Sequence, residues 1–281
     1  MRIRTLERLV GVVGVLAVGT VAVVLAQGPA KALLVDGSTT VGPIADAFAE
    51  ALMRKDPSLS ITVKKTGSGD GAKSLVDGLC DIATMSRFMK DKEYQAAVAK
   101  GFLPVAHAIA MDGVCVVVHP TNPVSGLTSD QIRGIYAGRI TNWKEVGGAD
   151  APIVATTRDT SSGTYETFEG LIMKGEKMAA HVGTVGSNPE MHDSVATTAG
   201  AIGYVGLGFL DEKVKALTVN GIAPSKKTVA SGVYPVSRPL FLFTRGYPEL
   251  GSPAHTFCTF YLTEEGHEII EAKGFVPLTN Y

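Results

Sequence analysis

One local pattern recurs along this chain and limits the folds it can adopt. An extended, mostly apolar run ends in a short turn of hydroxyl side chains and glycine, and a helical pattern usually follows. The pattern is clearest where the strand-like run 151–157 leads through Arg158 and Ser162-Gly163-Thr164 into the helical run 165–173. Strands that alternate with helices over short loops are typical of an α/β fold.

The residues at this turn are of the kind that binds an oxyanion. Helix N-termini present free backbone N–H groups and the positive end of the helix dipole. Ser162 and Thr164 add hydroxyl donors, Gly163 allows close approach of the backbone, and Arg158 offers a planar fork of donors. The alternative for this segment alone is an ordinary capped helix beside a surface arginine.

Three further strand ends carry the same chemistry. They are Ser38-Thr39-Thr40 after the strand 33–37, Gly67-Ser68-Gly69 after the strand 60–65, and Ser86-Arg87 after the strand 81–85. The second falls one glycine short of a P-loop, because Ala72 stands where that glycine belongs, so we interpret it as a backbone-rich anion cradle without nucleotide chemistry. Ligands of open α/β sheets lie at the carboxyl ends of strands, which predicts that these turns converge.

The first 32 residues have the composition of a secretory signal peptide. Three arginines precede an uncharged apolar run, and Ala30-Lys31-Ala32 resembles a cleavage site. An uncleaved membrane anchor remains the alternative, since the apolar run is long for a signal. Removing this segment leaves a mildly acidic chain, which excludes the basic footprint of a protein that binds nucleic acid or anionic membranes.

The cysteines and histidines give no support to a metal or redox site. Cys80, Cys115 and Cys258 form no C-x-x-C pair, so we expect buried apolar thiols, with a single disulfide as the alternative. The histidines lack ligand spacing, and we therefore predict neither a metal nor a cofactor.

Two stiff, proline-containing segments divide the rest of the chain. They span 120–123 and 233–239, and each adjoins a strongly apolar strand, 114–118 or 240–243. Two such crossings predict one lobe inserted into another. The remaining predicted elements are a strand at 103–110, helices at 43–55, 72–78, 90–100, 129–136, 171–181, 190–199 and 255–271, and a strand at 201–206.

Several ordered motifs together resemble the phosphate-binding component of bacterial Pst-type ABC phosphate transporters, and the resemblance covers nearly the whole chain after the leader. The motifs are Gly37-Ser38-Thr39-Thr40-Val41, 81–87, 138–143, Arg158 with Ser162-Gly163-Thr164, 202–205 and 234–239.

The resemblance implies an α/β, two-lobed periplasmic-binding-protein clamp of type II. Each lobe would be a mixed sheet flanked by helices, with 33–118 and 240–281 as lobe 1, 119–239 as lobe 2, and two crossing segments. It implies a monomer in the periplasm that encloses inorganic phosphate and delivers it to a membrane ABC permease. The phosphate-binding residues so implied are Ser38, Thr39, Thr40, Val41, Ser68, Ser86, Arg87, Arg158, Ser162, Gly163 and Thr164.

One departure from the family pattern affects selectivity. Many members place an aspartate after the serine of the third strand tip, where it accepts the phosphate proton, whereas this chain has Arg87. The acceptor must then lie elsewhere, with Asp70 and Asp159 as candidates. We interpret Trp143 as a packing anchor and Arg238, between two prolines, as structural.

Two other function classes remain open at this level. The same fold could bind sulfate, molybdate or tungstate, or the chain could be a secreted phosphatase that uses Ser162 or Ser68. Neither serine lies in a G-x-S-x-G elbow and no histidine lies near either in sequence, so we predict no catalytic residues.

Overall fold

The computed structural model describes residues 31–278. Its strands are β1 Lys31–Gly37, β2 Leu59–Val63, β3 Ile82–Met85, β4 Pro104–Val118, β5 Gly126–Leu127, β6 Val154–Arg158, β7 Gly183–Val185, β8 Ala201–Gly206, β9 Lys215–Ala216, β10 Thr218–Val219, β11 Ser237–Arg245 and β12 Val276–Pro277. Its α-helices are α1 Gly42–Lys55, α2 Ser68–Asp77, α3 Asp91–Ala99, α4 Ser129–Tyr136, α5 Gly163–Phe168, α6 Asn188–Thr197, α7 Lys226–Ala230, α8 Pro253–Thr259 and α9 Glu264–Ala272.

A long mixed sheet runs through the molecule in the order β2-β1-β3-β11-β4-β8-β6-β7. At one end β2, β1 and β3 are parallel, and at the other end β8, β6 and β7 are parallel. The antiparallel strands β11 and β4 lie between these two groups. The helix-flanked parallel groups are the two lobes of the clamp, so the predicted α/β fold is confirmed.

Strand β4 belongs to both lobes because it changes partner along its length. Residues 104–113 pair with β11, and residues 114–118 pair with β8. Val114–Val118 lie in the same hydrophobic cluster as Tyr136, Ile202 and Tyr204, whereas Ile109 and Ala110 lie in the cluster of Phe48 and Phe257. The two cores therefore meet at Gly113, within a continuous strand.

The lobe limits expected from sequence differ slightly from this division of the cores. Residues 114–118 were expected in lobe 1, yet they pack in the cluster that fills lobe 2. Hydrophobicity marks 114–118 as a buried strand, but it cannot tell which core buries it.

Local signals in the sequence explain several element ends. Helix α1 has Pro43 in its first turn, where a missing N–H costs no hydrogen bond, and α2 ends at Gly78, whose φ of 72° is left-handed. Helix α4 begins with Thr128 as its cap, since the Thr128 hydroxyl accepts a hydrogen bond from the N–H of Gln131.

The predicted elements differ from the structure in three places. The strands 103–110 and 114–118 are one strand, because residues 111–113 stay paired with β11. The helix 171–181 does not form: a π-helical turn, Glu169–Met173, ends at Lys174, whose φ is 52°. The helix 255–271 is two helices, because Thr263 leaves the helical conformation and caps α9.

The three cysteines and Trp143 are buried side chains. Cys80, Cys115 and Cys258 are buried and free, as expected, and burial raises the pKa of the Cys80 thiol to about 11. Trp143 is a packing anchor with its Nε1 donating to the Gly200 carbonyl at 3.0 Å. Within 31–278 no helix is long and apolar enough to span a membrane. The predicted leader lies outside the described residues except for Lys31 and Ala32, which begin β1.

Candidate functional site

The four hydroxyl-rich turns meet between the two lobes. Thr40 Oγ1, after β1, lies 3.0 Å from Thr164 Oγ1, after β6, although the two residues belong to different lobes. Ser68 Oγ lies 3.3 Å from Ser86 Oγ. All four side chains are buried. The structure thus brings together the turns that the sequence predicted would converge.

On the lobe 1 side, Ser38 and Ser68 organise the backbone. Ser38 Oγ accepts hydrogen bonds from the N–H groups of Thr40 and Val41, at 3.1 and 3.3 Å, and so shapes the turn that leads into α1. Ser68 begins α2, and its Oγ accepts from the Ser86 N–H at 3.1 Å. Ser38 and Val41 therefore support the turn, whereas the hydroxyls of Thr40, Ser68 and Ser86 lie at the lobe interface.

On the lobe 2 side, α5 begins directly against lobe 1. Ser162 is its cap, and its Oγ accepts from the N–H groups of Thr164 and Tyr165, both at 3.2 Å. A Cβ on Gly163 would lie 2.5 Å from Ser68 Oγ and 2.6 Å from Ser86 Oγ. Only glycine allows this close approach, which explains the residue that the turn pattern singled out.

Arg158 ends β6 with its side chain almost fully buried, at 1% exposure. Carbonyls at the end of β7 hold the guanidinium: Nε donates to Val185 at 3.2 Å and Nη2 donates to Gly186 at 2.7 Å. The same Nη2 lies 3.3 Å from Thr39 Oγ1, across the cleft.

Arg158 keeps one donor atom free. Its Nη1 is buried and makes no hydrogen bond within the described residues. Burial lowers the pKa of this guanidinium, but arginine remains protonated at physiological pH. The site therefore contains a desolvated cation with an unused donor, an arrangement suited to an anion.

Asn188 is a site residue that sequence reasoning missed. It is fully buried at the start of α6, and its Nδ2 donates to Thr39 Oγ1 at 3.1 Å and to Thr40 Oγ1 at 2.9 Å. The signal was present, because the strand β7, the cap Ser187 and a proline in the first turn of α6 repeat the pattern of the other turns.

Arg238 also reaches the hydroxyl groups, although the sequence favoured a structural role for it. Its Nη2 lies 3.0 Å from Thr164 Oγ1 and 3.2 Å from Thr40 Oγ1. The same guanidinium forms a buried ion pair with Asp112. Two arginines thus contact the hydroxyl cluster, Arg158 at Thr39 and Arg238 at Thr40 and Thr164.

Arg87 makes ion pairs on both sides of the cleft. Its Nη1 and Nη2 donate to Glu93 of lobe 1, each at 2.8 Å, and its Nε lies 2.7 Å from Glu166 Oε2 of lobe 2. Lys90 Nζ lies 2.9 Å from the other Glu166 oxygen. These contacts join the lobes beside the hydroxyl cluster and occupy the guanidinium that stands in place of the family's aspartate.

The two carboxylates considered as proton acceptors, Asp70 and Asp159, lie in different surroundings. Asp70 is exposed on α2. Asp159 Oδ1 accepts from both the N–H and the Oγ of Ser161, at 2.8 and 2.6 Å, and so stabilises the turn before α5.

Residues 31–278 contain no cluster of His, Cys, Asp and Glu able to hold a metal ion.

The sequence of this chain is similar to proteins of a known superfamily over most of its length. The model of the PBP superfamily domain matches residues 24–265. The phosphate-binding protein PstS of Bacillus subtilis is 34% identical over 91% of this chain and 84% of its own length. The protein SphX of Synechococcus elongatus is 31% identical over 86% of this chain and 76% of its own length.

Solved structures show the same fold. A Clostridium perfringens protein, assigned as a phosphate ABC transporter substrate-binding protein and crystallised with bound phosphate, superposes with a TM-score of 0.82 at 34% identity, covering 88% of this chain and 100% of its own. An ABC-type phosphate transport receptor from Vibrio cholerae gives a TM-score of 0.72 at 33% identity, covering 87% and 99%.

Proposed function

This chain belongs to the PBP superfamily and, within it, to the PstS-type phosphate-binding proteins, and from that premise we propose that it captures inorganic phosphate between its two lobes. The eleven residues that the resemblance implied are proposed as contacts to, or supports of, that anion. Asn188 and Arg238 join them because their donors reach the same hydroxyls.

The observation that carries this proposal is the free donor of Arg158. A buried guanidinium N–H without an acceptor is costly, so such a group calls for an anionic partner. The Thr39 hydroxyl of lobe 1 lies 3.3 Å from the same guanidinium. Each charge-assisted hydrogen bond to phosphate contributes about 1.5–3 kcal/mol. A handful of these bonds, less the cost of closing the lobes, corresponds to micromolar or tighter binding.

Hydroxyl groups also offer an answer to the question of the phosphate proton. Ser68 and Ser86 can accept a hydrogen bond as readily as they donate one, and their oxygens lie beside Gly163 at the start of α5. We propose that one of these oxygens accepts the hydrogen bond donated by the P–OH group of hydrogen phosphate, in place of the aspartate found in many relatives.

The wider role follows from the family. We propose that the protein works outside the cytoplasm, as a monomer, and delivers phosphate to a membrane ABC permease. A secreted phosphatase would need a base beside its serine, and the hydroxyls of Ser162 and Ser68 bond backbone N–H groups and another hydroxyl. We therefore propose a binding protein without catalytic activity.

A thermal-shift and calorimetry panel tests the function. The purified protein is unfolded and refolded to remove carried-over anions, then titrated with phosphate, arsenate, sulfate and molybdate. A ligand that binds only the native state raises the melting temperature as its concentration rises, and we expect phosphate to give a larger shift than sulfate or molybdate. No shift with phosphate would refute the proposal. A larger shift with sulfate or molybdate would instead assign the protein to another oxyanion, and turnover of a chromogenic phosphoester would favour an enzyme.

A further inference from the structure

A buried ion pair lies where the chain crosses between the lobes. Arg238 on β11 and Asp112 on β4 are directly paired positions of the antiparallel ladder. Asp112 Oδ2 accepts from Arg238 Nε at 2.9 Å and from Nη2 at 2.8 Å, while Asp112 Oδ1 accepts from the Leu207 N–H at 2.8 Å. Asp112 is 0% exposed and Arg238 is 4% exposed. Strands β4 and β11 and the segment after β8 therefore fix the guanidinium in one orientation.

From these contacts we infer that Arg238, held by Asp112, is a positioning residue of the proposed phosphate site. It orients the Thr40–Thr164 hydroxyl pair so that the pair donates a hydrogen bond to the anion. This inference rests on the proposed function and adds to it a residue pair outside the four turns. It assigns to the pair a part in anion recognition as well as in stability.

The chemistry of the hydroxyl group supports this role. Arg238 Nη2 carries two hydrogens, of which one is directed to Asp112 Oδ2 and the other is shared between the hydroxyls of Thr40 and Thr164. A guanidinium has only donors, so both threonine oxygens act as acceptors in this contact. Their own hydrogens are then left for another acceptor. The 3.0 Å contact between the two hydroxyls uses one of these hydrogens, so one hydrogen remains for an oxygen of the anion.

Asn188, like Arg238, donates a hydrogen bond to the Thr40 hydroxyl. Its Oδ1 accepts from the Gly206 N–H at 3.2 Å, which orients the amide so that Nδ2 donates to Thr40 Oγ1. Thr40 Oγ1 thus receives donors from two side chains. Gly206 lets the groups come this close, because a Cβ there would lie 3.0 Å from Thr40 Cγ2 and 3.2 Å from Asp112 Oδ2.

The charges of the pair matter as well. Burial raises the pKa of Asp112, and the charge and hydrogen bonds of Arg238 oppose that rise. The Asp112 carboxylate balances the positive charge of the Arg238 guanidinium. Arg238 can therefore be buried without an anion as the partner of its charge. Arg158 then remains the main positive charge, and Arg238 supplies direction to the hydroxyls.

A double substitution separates positioning from stability. Asp112→Asn combined with Arg238→Met removes both charges of the ion pair together, and the amide oxygen of Asn can still accept from the Leu207 N–H. Removing a buried ion pair as a unit often leaves folding stability nearly unchanged. We expect the melting temperature without phosphate to stay near that of the parent, and the phosphate Kd to rise by about 100-fold. A double variant that is stable and binds phosphate as the parent does would overturn the inference, since the pair would then be structural only.

Two further variants keep the test decisive. Arg238→Lys retains the charge opposite Asp112 but cannot reach both hydroxyls, so we expect a Kd about 10-fold higher at an unchanged melting temperature. An unchanged Kd for this variant would also overturn the inference. The matched control is Arg133→Met, because Arg133 is a partly buried arginine of lobe 2 that bonds the Ile172 carbonyl away from the cleft, and its loss should leave the Kd unchanged.

These outcomes remain distinct from failure of the proposed function. If the refolded parent protein itself shows no phosphate binding, then the proposed function is wrong. If the parent binds and the pair variants bind equally well, only the positioning role fails.

Discussion

Arg158 concentrates the chemistry of the site in one side chain. Its Nε and Nη2 are fixed by the carbonyls of Val185 and Gly186, and its buried Nη1 has no hydrogen-bond partner among residues 31–278. The orientation is thus set before any anion arrives, and preorganised donors bind more tightly because little side-chain entropy is lost. At the residue scale, binding should depend on the fork of donors as well as on the charge.

We expect Arg158→Ala to weaken phosphate binding by about 100-fold or more, because at least one charge-assisted hydrogen bond and the compensating charge are lost together. Arg158→Lys should recover little of this affinity, since an ammonium group cannot keep both the carbonyl bonds and the bond to the anion. Calorimetric titration measures both. Arg139→Ala, which removes an exposed arginine paired with Glu176, is the control. Near-normal affinity in Arg158→Ala would leave the turn at 158–164 as only a helix cap.

At the scale of elements, the start of α5 packs directly against the start of α2. Gly163 lies against Ser68 and Ser86, and the Gly69 N–H donates across the cleft to the Ser161 carbonyl at 2.8 Å. The turn after β6 and the start of α2 are therefore in direct contact. Such tight packing of two turns leaves no room for an added methyl group.

Gly163→Ala should reduce phosphate affinity by at least about 10-fold while leaving the melting temperature without phosphate almost unchanged. The added Cβ would collide with the hydroxyls of Ser68 and Ser86 only when the lobes are together, whereas alanine is well tolerated in a helix. The matched control is Gly170→Ala, because a Cβ at Gly170 meets no atom within 4 Å. Equal affinities for the two variants would show that close approach at Gly163 is unnecessary.

Helix α6 has an anchor that depends on pH. His192 Nε2 lies 2.8 Å from Asp211 Oδ1, and its Nδ1 lies 3.2 Å from Asp193 Oδ1. Burial alone would lower the pKa of His192, but hydrogen bonds to these carboxylates outweigh burial and raise it above the ordinary value of 6.5. The charged histidine therefore holds α6, which carries Asn188, to the segment after β8.

A raised folded-state pKa means that this stabilisation is complete below about pH 6.5 and is lost as the pH rises through the folded-state pKa. We accordingly expect His192→Gln to lower the midpoint of urea unfolding more at pH 5.5 than at pH 8.5. The control is His119→Gln, because the His119 ring bonds the nearby Thr121 at the surface. A destabilisation by His192→Gln that is the same at both pH values would contradict the linkage.

At the scale of the whole molecule, two antiparallel strands carry the chain between lobes. Strand β4 changes partner after Gly113, and β11 begins at Ser237. We propose the hinge at these two points. The expected crossing segment 233–239 contains the second point, and the expected crossing segment 120–123 follows the end of β4. An enclosed anion must enter and leave, so the lobes must separate about such a hinge.

Small-angle scattering should therefore show a smaller radius of gyration when phosphate is added to protein freed of anions. Phosphate favours the closed form only by its difference in affinity between the two forms, because its donors come from both lobes. Arg158→Ala at the same phosphate concentration should show no such decrease. Identical scattering of the parent protein with and without phosphate would mean a rigid pocket, and the proposed lobe limits would then lose their mechanical meaning.

The sequence alone determined the features that depend on neighbouring residues. The hydroxyl-rich turns after β1, β3 and β6 were predictable because capping groups and glycines act within a few residues of the chain. Strand β8 and the packing role of Trp143 were predictable because hydrophobic patterning reports burial. The resemblance to a known family then supplied the fold and the expected anion.

Only the tertiary structure decided which distant groups meet. Asp112 and Arg238 are 126 residues apart, and Asn188 reaches Thr40 over 148 residues. Arg87 could have faced the anion, but it pairs with Glu93 and Glu166 because those carboxylates lie on two helices that packing brings to its side. The energy of such contacts depends on desolvation and on alignment over a few tenths of an ångström, and both arise only when the two lobes have packed against each other.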